Sequence, residues 1–203
     1  MRAIKMEDAT ITYDWSQGGG TDGLIYKNQG GCHSTSIMRF NYGYLEMRAR
    51  IPDGKGVYSS FWLSCDNGLE IDIFESLGMA HTLRANIHYW QSAENGGHTS
   101  LDGVVNSRDY VLPTSEGTLF DDYHTIGLYW SWDGIRFYCD GVMYYEDEID
   151  EFHDGQMAKI IAGFNVGWYG RTDPADDVEF PLEYHVDYFR LYQIDGQIAD
   201  IKQ

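Results

Sequence analysis

The sequence predicts an all-β protein, a sandwich or jelly roll built from two antiparallel sheets. Three observations lead to this fold class. Seven Asp-Gly and two Asn-Gly pairs are spread along the 203 residues, and such pairs accommodate the positive φ angles of tight hairpin turns. Between them lie short runs in which apolar and polar residues alternate with a period of two, as in strands buried on one face. No amphipathic helix longer than two turns is evident, and prolines number only 4.

The alternating runs predict the following individual strands, given in chain order. Residues 44–51 and 83–90 each alternate apolar and polar side chains, which predicts half-buried antiparallel strands. Residues 135–146 contain two β-rich runs around Asp140-Gly141, which predict a hairpin. The apolar positions that we expect in the core of the first two segments are Leu45, Met47, Ala49, Ile51, Leu83, Ala85, Ile87 and Tyr89.

Length and charge narrow the possible roles. At roughly 150 residues per domain, 203 residues fit one domain over residues 1–203, and no linker or repeat divides them. The net charge of -18 repels phosphate backbones and anionic membranes, which argues against nucleic acid or a membrane as partner. No apolar run approaches the ~18 residues that span a bilayer, and no secretory signal is evident. The aromatic content of 15% suits both a β-rich core and an aromatic-lined ligand cleft.

The three cysteines give no sign of a disulfide scaffold or a zinc site. Cys32, Cys65 and Cys139 are odd in number, lie far apart and contain no Cys-x-x-Cys pair. No spacing of His or Cys indicates a transition metal.

The acidic segment 69–76 is the most informative part of the chain. In a regular strand Glu70 and Asp72 share one face, and the next residue on that face would be Phe74. The next acid is instead Glu75, so the pattern slips by one residue. A β-bulge supplies that slip, because one extra residue returns the following side chain to the earlier face. The sequence therefore predicts a bulged strand with Glu70, Asp72 and Glu75 in one acidic row.

Three adjacent carboxylates repel one another, which favours a state in which one is protonated and another ionised. A retaining glycosidase needs that division, with a nucleophilic carboxylate about 5 to 5.5 Å from an acid that protonates the leaving oxygen. A regular strand would leave the two Glu Cα atoms about 13 Å apart, so curvature and long side chains must close the gap. Spacing alone does not decide which Glu attacks. The alternative is a solvated acidic strand face in an acidic protein.

Further segments accompany the acidic strand, at residues 42–48, 51–52, 61–63, 129–130, 137–141 and 186–193. Together they resemble glycoside hydrolase family 16, the group that contains laminarinases, lichenases, agarases and carrageenases. The resemblance covers roughly residues 42–192, and the bulged motif is similar to the laminarinase and galactanase branch rather than to lichenases.

This resemblance implies a curved jelly roll with a concave sheet that forms an open substrate cleft. It implies that Glu70 is the nucleophile, that Glu75 is the general acid and then the general base, and that Asp72 hydrogen-bonds Glu70. The expected activity is endo-acting, retaining hydrolysis of a β-1,3- or mixed-linkage glucan, without a required cofactor. The alternatives are an endo-β-galactanase for agar-type, keratan-type or mucin-type glycans, a transglycosylase, or a non-catalytic carbohydrate-binding jelly roll. A purely structural β-sandwich would leave the bulged acids unexplained.

The resemblance also implies a set of substrate-binding residues. Glu46 and Arg48 would reach sugar hydroxyls from the neighbouring strand, with a cross-strand ion pair on an exposed face as the alternative. His88 would lie at the end of the row occupied by Glu75, the expected general acid, or would serve as a structural hydrogen-bonding residue. Trp130 and Trp132 are expected to pack rather than bind. The full set of binding candidates is Glu46, Arg48, Trp62, His88, Trp90, Asn165 and Trp168.

The resemblance carries further expectations about the whole protein. Family members usually have another N-terminal strand before the stretch matching residues 3–12, and this chain begins too late to supply it. A structural Ca²⁺ on the convex face often uses an acid from that segment, which leaves Asp187 as the remaining ligand candidate, or simply as a surface acid. We expect a polysaccharide or oligosaccharide partner, a monomer, and a secreted or cell-surface origin.

Overall fold

The computed structural model of the protein describes residues 2–3, 30–54, 56–66, 68–76, 82–92, 98–111, 120–147, 157–166 and 179–193. The regular elements in these residues are thirteen β-strands. Within the same residues, no helix has the length and apolar character needed to cross a membrane.

Most strands belong to one of two antiparallel sheets. The six-stranded sheet contains, from edge to edge, β2 (Gly30–Phe40), β11 (Ala158–Val166), β4 (Val57–Cys65), β5 (Leu69–Ser76), β6 (Thr82–Ser92) and β7 (His98–Val111). The five-stranded sheet contains, in the same manner, β10 (Val142–Asp147), β9 (Gly134–Cys139), β8 (His124–Ser131), β3 (Gly43–Arg50) and β13 (His185–Tyr192). A separate short pair joins β1 (Arg2–Ala3) to β12 (Leu182–Glu183).

The inner faces of the two sheets share one hydrophobic core. Alternation places every second side chain of β3 and of the described part of β6 in this core, as the sequence predicts. The predicted core side chains that the structure describes are all buried, namely Leu45, Met47, Ala49, Ile51, Leu83, Ala85 and Ile87. The side chain of Tyr89 lies outside the described residues. The predicted sandwich of two antiparallel sheets is therefore confirmed.

Two aromatic contacts tie the sheets together across the core. The buried Tyr184 hydroxyl, between β12 and β13, donates to the carbonyl oxygen of Ser60 in β4 at 3.3 Å. Trp130 is buried and lies edge-on to Phe40, so its predicted packing role is confirmed. Trp132 only partly fits that prediction, because 54% of it is exposed.

The hairpin predicted at Asp140-Gly141 joins β9 to β10. Both residues have positive φ, +48° and +78°, which is the geometry that a two-residue type I′ turn requires. The Asp140 carboxylate accepts the Thr125 backbone N–H at 2.8 Å and lies 2.6 Å from His124 Nδ1. This turn is thus fastened to the first residues of β8.

Candidate active site

The acidic strand β5 contains the predicted bulge. Against β4, Asp72 pairs with Trp62 and Phe74 pairs with Phe61, so Ile73 is an extra residue with no partner in the ladder. The register against β6 shifts in the same interval. Ile73 and Phe74 are both fully buried, and the slip therefore turns the following Glu75 outward. The bulge is confirmed, and it brings the three acids to the outer face of the six-stranded sheet.

Glu75 is held by one neighbour from each adjacent strand. The Tyr58 hydroxyl on β4 donates to Glu75 Oε1, and the Asn86 side-chain amide on β6 donates to Oε2. Asn86 is itself buried. With both oxygens engaged, the carboxyl group is fixed in orientation on the face of the sheet.

The environment of Glu75 favours its protonated form. Burial is the largest cause, and the negative charge of Asp72 adds to it, so that the pKa of Glu75 rises from 4.5 to about 7. The Tyr58 hydrogen bond and the charges of His88 and Arg84 act in the opposite direction. Glu75 can therefore carry a proton close to neutral pH and still release it, as a general acid and base must.

Glu70, Asp72 and His88 form the other half of the site. A ligand atom from each of these side chains lies within 4.8 Å of the other two. His88 Nε2 is 3.0 Å from Asp72 Oδ2, and the Asp72 carboxylate is almost completely buried. Burial works against protonation of His88, but the hydrogen bond and charge of Asp72, with Glu70 and Glu75, raise its pKa overall. This half of the site therefore favours a histidinium next to the carboxylates.

The position of His88 differs from the expectation. His88 pairs with Glu70 in the β5–β6 register, whereas Arg84 pairs with Glu75. The expectation that His88 lies at the Glu75 end of the acidic row is wrong, because the antiparallel direction of β6 places Arg84 opposite Glu75. Of its two predicted roles, the structure describes the hydrogen-bonding one, toward Asp72.

Two other binding candidates share the acidic face. Trp62 pairs with Asp72 across β4 and β5 and is half-buried. Asn165 on β11 pairs with Tyr58, the residue that bonds Glu75. The structure therefore places Trp62 next to Asp72, and Asn165 one strand further away, next to Tyr58. Only the backbone of Trp90, in β6, is described, and Trp168 lies outside the described residues.

Glu46 and Arg48 lie elsewhere, so their predicted role in this site is wrong. Their strand, β3, pairs with β8 and β13 in the five-stranded sheet and has no pairing with β4, β5 or β6. Their side chains point away from the core on the opposite surface of the sandwich. Glu46 Oε1 accepts the Tyr188 hydroxyl at 2.8 Å, and Arg48 forms a 2.8 Å ion pair with Asp187. For Arg48 the alternative, a cross-strand ion pair on an exposed face, is confirmed.

The same ion pair bears on the calcium candidate. Calcium takes six to eight oxygen ligands, and a guanidinium group beside a carboxylate competes with the ion. Asp187 is half exposed and its described partner is Arg48. The surroundings of Asp187 among the described residues therefore fit the alternative of a surface acid.

Two groups of described side chains have the chemistry to hold a metal ion. One is the Glu70, Asp72 and His88 group of the acidic face. The other comprises His124, Cys139 and Asp140, which sequence spacing does not indicate. In this second group the bonds of the Asp140 carboxylate to β8 account for the arrangement, because they fasten the β9–β10 turn.

Tyr58 and Asn86, which hold Glu75, are the site residues that the sequence does not identify as such. Asn86 lies on the polar side of an alternating strand, as His88 does, and this position is the sequence signal for it. Tyr58 lies on the same face of β4 as Trp62, but its contact with Glu75 depends on the pairing of β4 with β5. Strand pairing is not readable from alternation within one strand.

Comparison with known proteins identifies relatives of this chain. The sequence model of the family described as "Glycosyl hydrolases family 16" matches residues 4–189. Endo-1,3-1,4-beta-glycanase ExsH of Rhizobium meliloti (strain 1021) is 31% identical over 160 residues, which are 76% of this chain and 31% of that protein. Glucan endo-1,3-beta-glucosidase A1 of Niallia circulans is 25% identical over 189 residues, 82% of this chain and 26% of that protein. The chain thus spans about a third or less of the length of these two curated relatives.

Solved structures share the fold. The catalytic domain of an endo-1,3-beta-glucanase (laminarinase) from Thermotoga petrophila RKU-1 has a TM-score of 0.65 and 24% sequence identity, covering 78% of this chain and 66% of that chain. The predicted jelly roll is confirmed by this likeness together with the two antiparallel sheets. Because the family model covers nearly the whole sequence, the chain belongs to glycosyl hydrolase family 16.

Proposed function

We propose that the protein is an endo-acting, retaining glycoside hydrolase that cleaves internal linkages of a β-1,3- or mixed-linkage glucan. One observation carries the proposal. Burial and the charge of Asp72 raise the pKa of Glu75 to about 7, while the neighbouring Glu70 lies within the Asp72 and His88 group. Two carboxyl groups on one face are thereby suited to different tasks, one to give a proton and one to attack.

This asymmetry supports the assignment of Glu75 as the acid and Glu70 as the nucleophile, which spacing alone left open. Glu75, whose raised pKa of about 7 keeps a protonated fraction at neutral pH, gives its proton to the glycosidic oxygen as the bond from that oxygen to the anomeric carbon breaks. The Glu70 carboxylate attacks the same carbon and forms a glycosyl ester. Glu75, now ionised, takes a proton from a water molecule, the water oxygen bonds to the anomeric carbon, and Glu70 leaves as a carboxylate. Two inversions give net retention of configuration.

The neighbouring residues keep this cycle in order. Tyr58 and Asn86 hold the two oxygens of Glu75, so its proton stays directed along one line. Asp72, paired with His88, sits between the two glutamates and raises the pKa of Glu75 by its charge. When Glu75 loses its proton, the histidinium character of His88 limits the build-up of negative charge.

The glucan preference rests on two supports. The relatives named above are a 1,3-1,4-beta-glycanase and a glucan 1,3-beta-glucosidase. The net charge of -18 also favours a neutral polymer over a sulfated one. Trp62, half-buried beside Asp72, offers an aromatic face on which a pyranose ring can stack.

The test is release of oligosaccharides from laminarin, mixed-linkage glucan, agarose, porphyran and mucin glycans. We expect short oligosaccharides from a glucan, with a loss of about 10³-fold or more in Glu70→Gln because the nucleophile is removed. Glu75→Gln should lose about 10² to 10⁴-fold on the polymer. On an aryl glycoside whose leaving group needs no protonation it should still form the glycosyl ester rapidly, but hydrolysis of that ester should be slow because no base activates the water, so the aryl product should appear as a burst.

Azide, an external nucleophile, distinguishes the role of the general acid and base from that of the nucleophile by the anomer that it yields. In Glu75→Ala, azide should intercept the glycosyl ester and give a β-glycosyl azide, whereas in Glu70→Ala it should attack directly and give the α-anomer. Asp187→Asn is the matched control, since it changes a carboxylate on the opposite sheet and should retain full activity. Tight binding to one polymer without any cleavage would replace this proposal with the carbohydrate-binding one. Cleavage of agarose or mucin glycans alone would replace the glucan with a galactan.

A further inference from the structure

The sandwich contains two bulges that meet across its core. In β5 the extra residue is Ile73, between the catalytic candidates Asp72 and Glu75. In β10 of the other sheet, Met143 pairs with Tyr138 and Tyr145 pairs with Phe137, which leaves Tyr144 as the extra residue. The Tyr144 hydroxyl donates a hydrogen bond to the carbonyl oxygen of Ile73 at 3.0 Å. Each irregularity is thus in direct contact with the other.

This contact has a physical reason on both sides. An extra residue in a bulge interrupts the ladder of backbone hydrogen bonds, and a buried carbonyl without a partner is costly. Ile73 is completely buried, so water does not provide that partner. On the other strand, the bulge in β10 allows two successive tyrosines to pack near Phe137, with ring centroids at 6.2 Å for Tyr144 and 5.3 Å for Tyr145. The first of them reaches the opposite sheet.

The position of the β5 bulge decides which side chains face outward. If the extra residue were absorbed elsewhere in the strand, strict alternation would return Phe74 to the outer face and turn Glu75 into the core. A small rotation at the bulge would also move Glu75 away from Tyr58 and Asn86, which hold its carboxyl group. A hydrogen bond anchored in the opposite sheet resists both changes, because that sheet does not move with β5.

We propose that Tyr144 is a positioning residue that holds the β5 bulge in place and thereby aligns Glu75 with Glu70 for catalysis. The inference rests on the proposed hydrolase function, and it extends that function to a side chain that lies on the far side of the core. Tyr144 touches no substrate, so its effect reaches the reaction through Ile73 and Glu75.

The test compares Tyr144→Phe with Tyr145→Phe on the substrate that the wild-type protein cleaves. Tyr144→Phe keeps the ring and removes only the hydroxyl. We expect kcat on the polymer to fall about tenfold with KM within about twofold, because alignment of the acid matters in the transition state. On an aryl glycoside with an activated leaving group kcat/KM, which reports formation of the glycosyl ester, should fall less than about threefold. The alkaline limb of the pH profile should move to lower pH, because a displaced Glu75 is better hydrated, and burial, the largest cause of its raised pKa, outweighs the loss of the Tyr58 hydrogen bond.

Tyr145→Phe is the matched control. It removes a hydroxyl from the next residue of the same strand, which donates a 2.7 Å hydrogen bond to Asp147. We expect its kcat and pH profile to match the wild type. A purely structural role for Tyr144 would lower the melting temperature but leave kcat, the leaving-group dependence and the pH limb unchanged in the folded variant. That result would overturn the inference.

A second pair of variants keeps the inference testable if Tyr144→Phe does not fold. Deletion of Ile73 removes the extra residue and restores regular alternation, with Phe74 inward and Glu75 outward. The Tyr144 hydroxyl then has no bulge to hold, so Tyr144→Phe in that background should change kcat by less than twofold. A further tenfold loss there would show that Tyr144 acts on something other than the bulge. If the wild-type protein cleaves no glycan at all, the proposed function itself has failed, which is a different outcome from unchanged activity in Tyr144→Phe.

Discussion

Replacement of Glu75 by Gln is expected to make the folded protein more stable at alkaline pH while removing its activity on polymers. The pKa of Glu75 is raised from its ordinary value of 4.5 to about 7, first by burial and then by the charge of Asp72. One pH unit of pKa change corresponds to about 1.4 kcal/mol, so this rise corresponds to about 3 kcal/mol of folding free energy. Gln is uncharged at every pH and close to Glu in shape.

The pH window follows from the direction of the pKa change. The folded protein binds the Glu75 proton more tightly than the unfolded chain does, so acid favours the folded state. The wild-type protein has this contribution in full below about pH 4.5 and loses it as pH rises, completely above about pH 7. Glu75→Gln has no such loss. The free energy of unfolding of the variant should therefore exceed that of the wild type by an amount that grows with pH, by up to about 3 kcal/mol.

Urea denaturation of both proteins between pH 4.5 and pH 8.5 measures this difference, because other titrating groups largely cancel in the comparison. Tyr58 and Asn86 can both accommodate the amide, since a hydroxyl can accept as well as donate and an amide can turn over. Asp187→Asn provides the control, an exposed ion-paired carboxylate expected to contribute about 0 to 1 kcal/mol. Parallel curves for the wild type and Glu75→Gln would refute the reasoning, because they would mean that Glu75 is not held in its neutral form by the fold.

Three further outcomes are expected. Tyr58→Phe should move the alkaline limb of the pH profile of kcat/KM to higher pH by about one unit, because it removes a hydrogen bond that lowers the pKa of Glu75. An unchanged position of this limb would contradict the prediction. Gly43→Ala should lower the free energy of unfolding by about 2 to 3 kcal/mol in urea, since Gly43 has a φ of +127° and an added Cβ would lie 2.6 Å from the Tyr192 carbonyl oxygen. Asp140→Asn should cost about 1 to 2 kcal/mol at neutral pH. Burial acts to raise the pKa of Asp140, but the hydrogen bonds from β8 outweigh it and lower the pKa overall. The wild type therefore loses the stability that these bonds provide as pH falls, and the melting temperatures of the wild type and Asp140→Asn should converge in acid.

The local sequence determined the strands and the geometry along each of them. Alternation with a period of two identifies the buried side of β3 and β6, because successive side chains of a strand point to opposite faces whatever the strand pairs with. The break in that alternation between Asp72 and Glu75 identifies the bulge for the same reason. Asp140-Gly141 specifies its hairpin because both residues tolerate positive φ. Each of these properties belongs to a few consecutive residues.

Only the tertiary structure decided which strands are neighbours, and the site depends on that. Glu46 and Arg48 have the alternation expected of cleft residues, yet β3 pairs in the other sheet and turns them to the opposite surface. The pairing of β4 with β5 brings Tyr58 to Glu75, and the packing of the two sheets against each other brings Tyr144 of β10 to the β5 bulge. Strands pair through backbone N–H and C=O groups that all residues except proline carry. The sequence of a strand therefore does not identify the strand with which it pairs. The partner is selected when the inner faces of both sheets close on one core. The raised pKa of Glu75 follows from its burial on the outer face, where Tyr58 of β4 and Asn86 of β6 contact it.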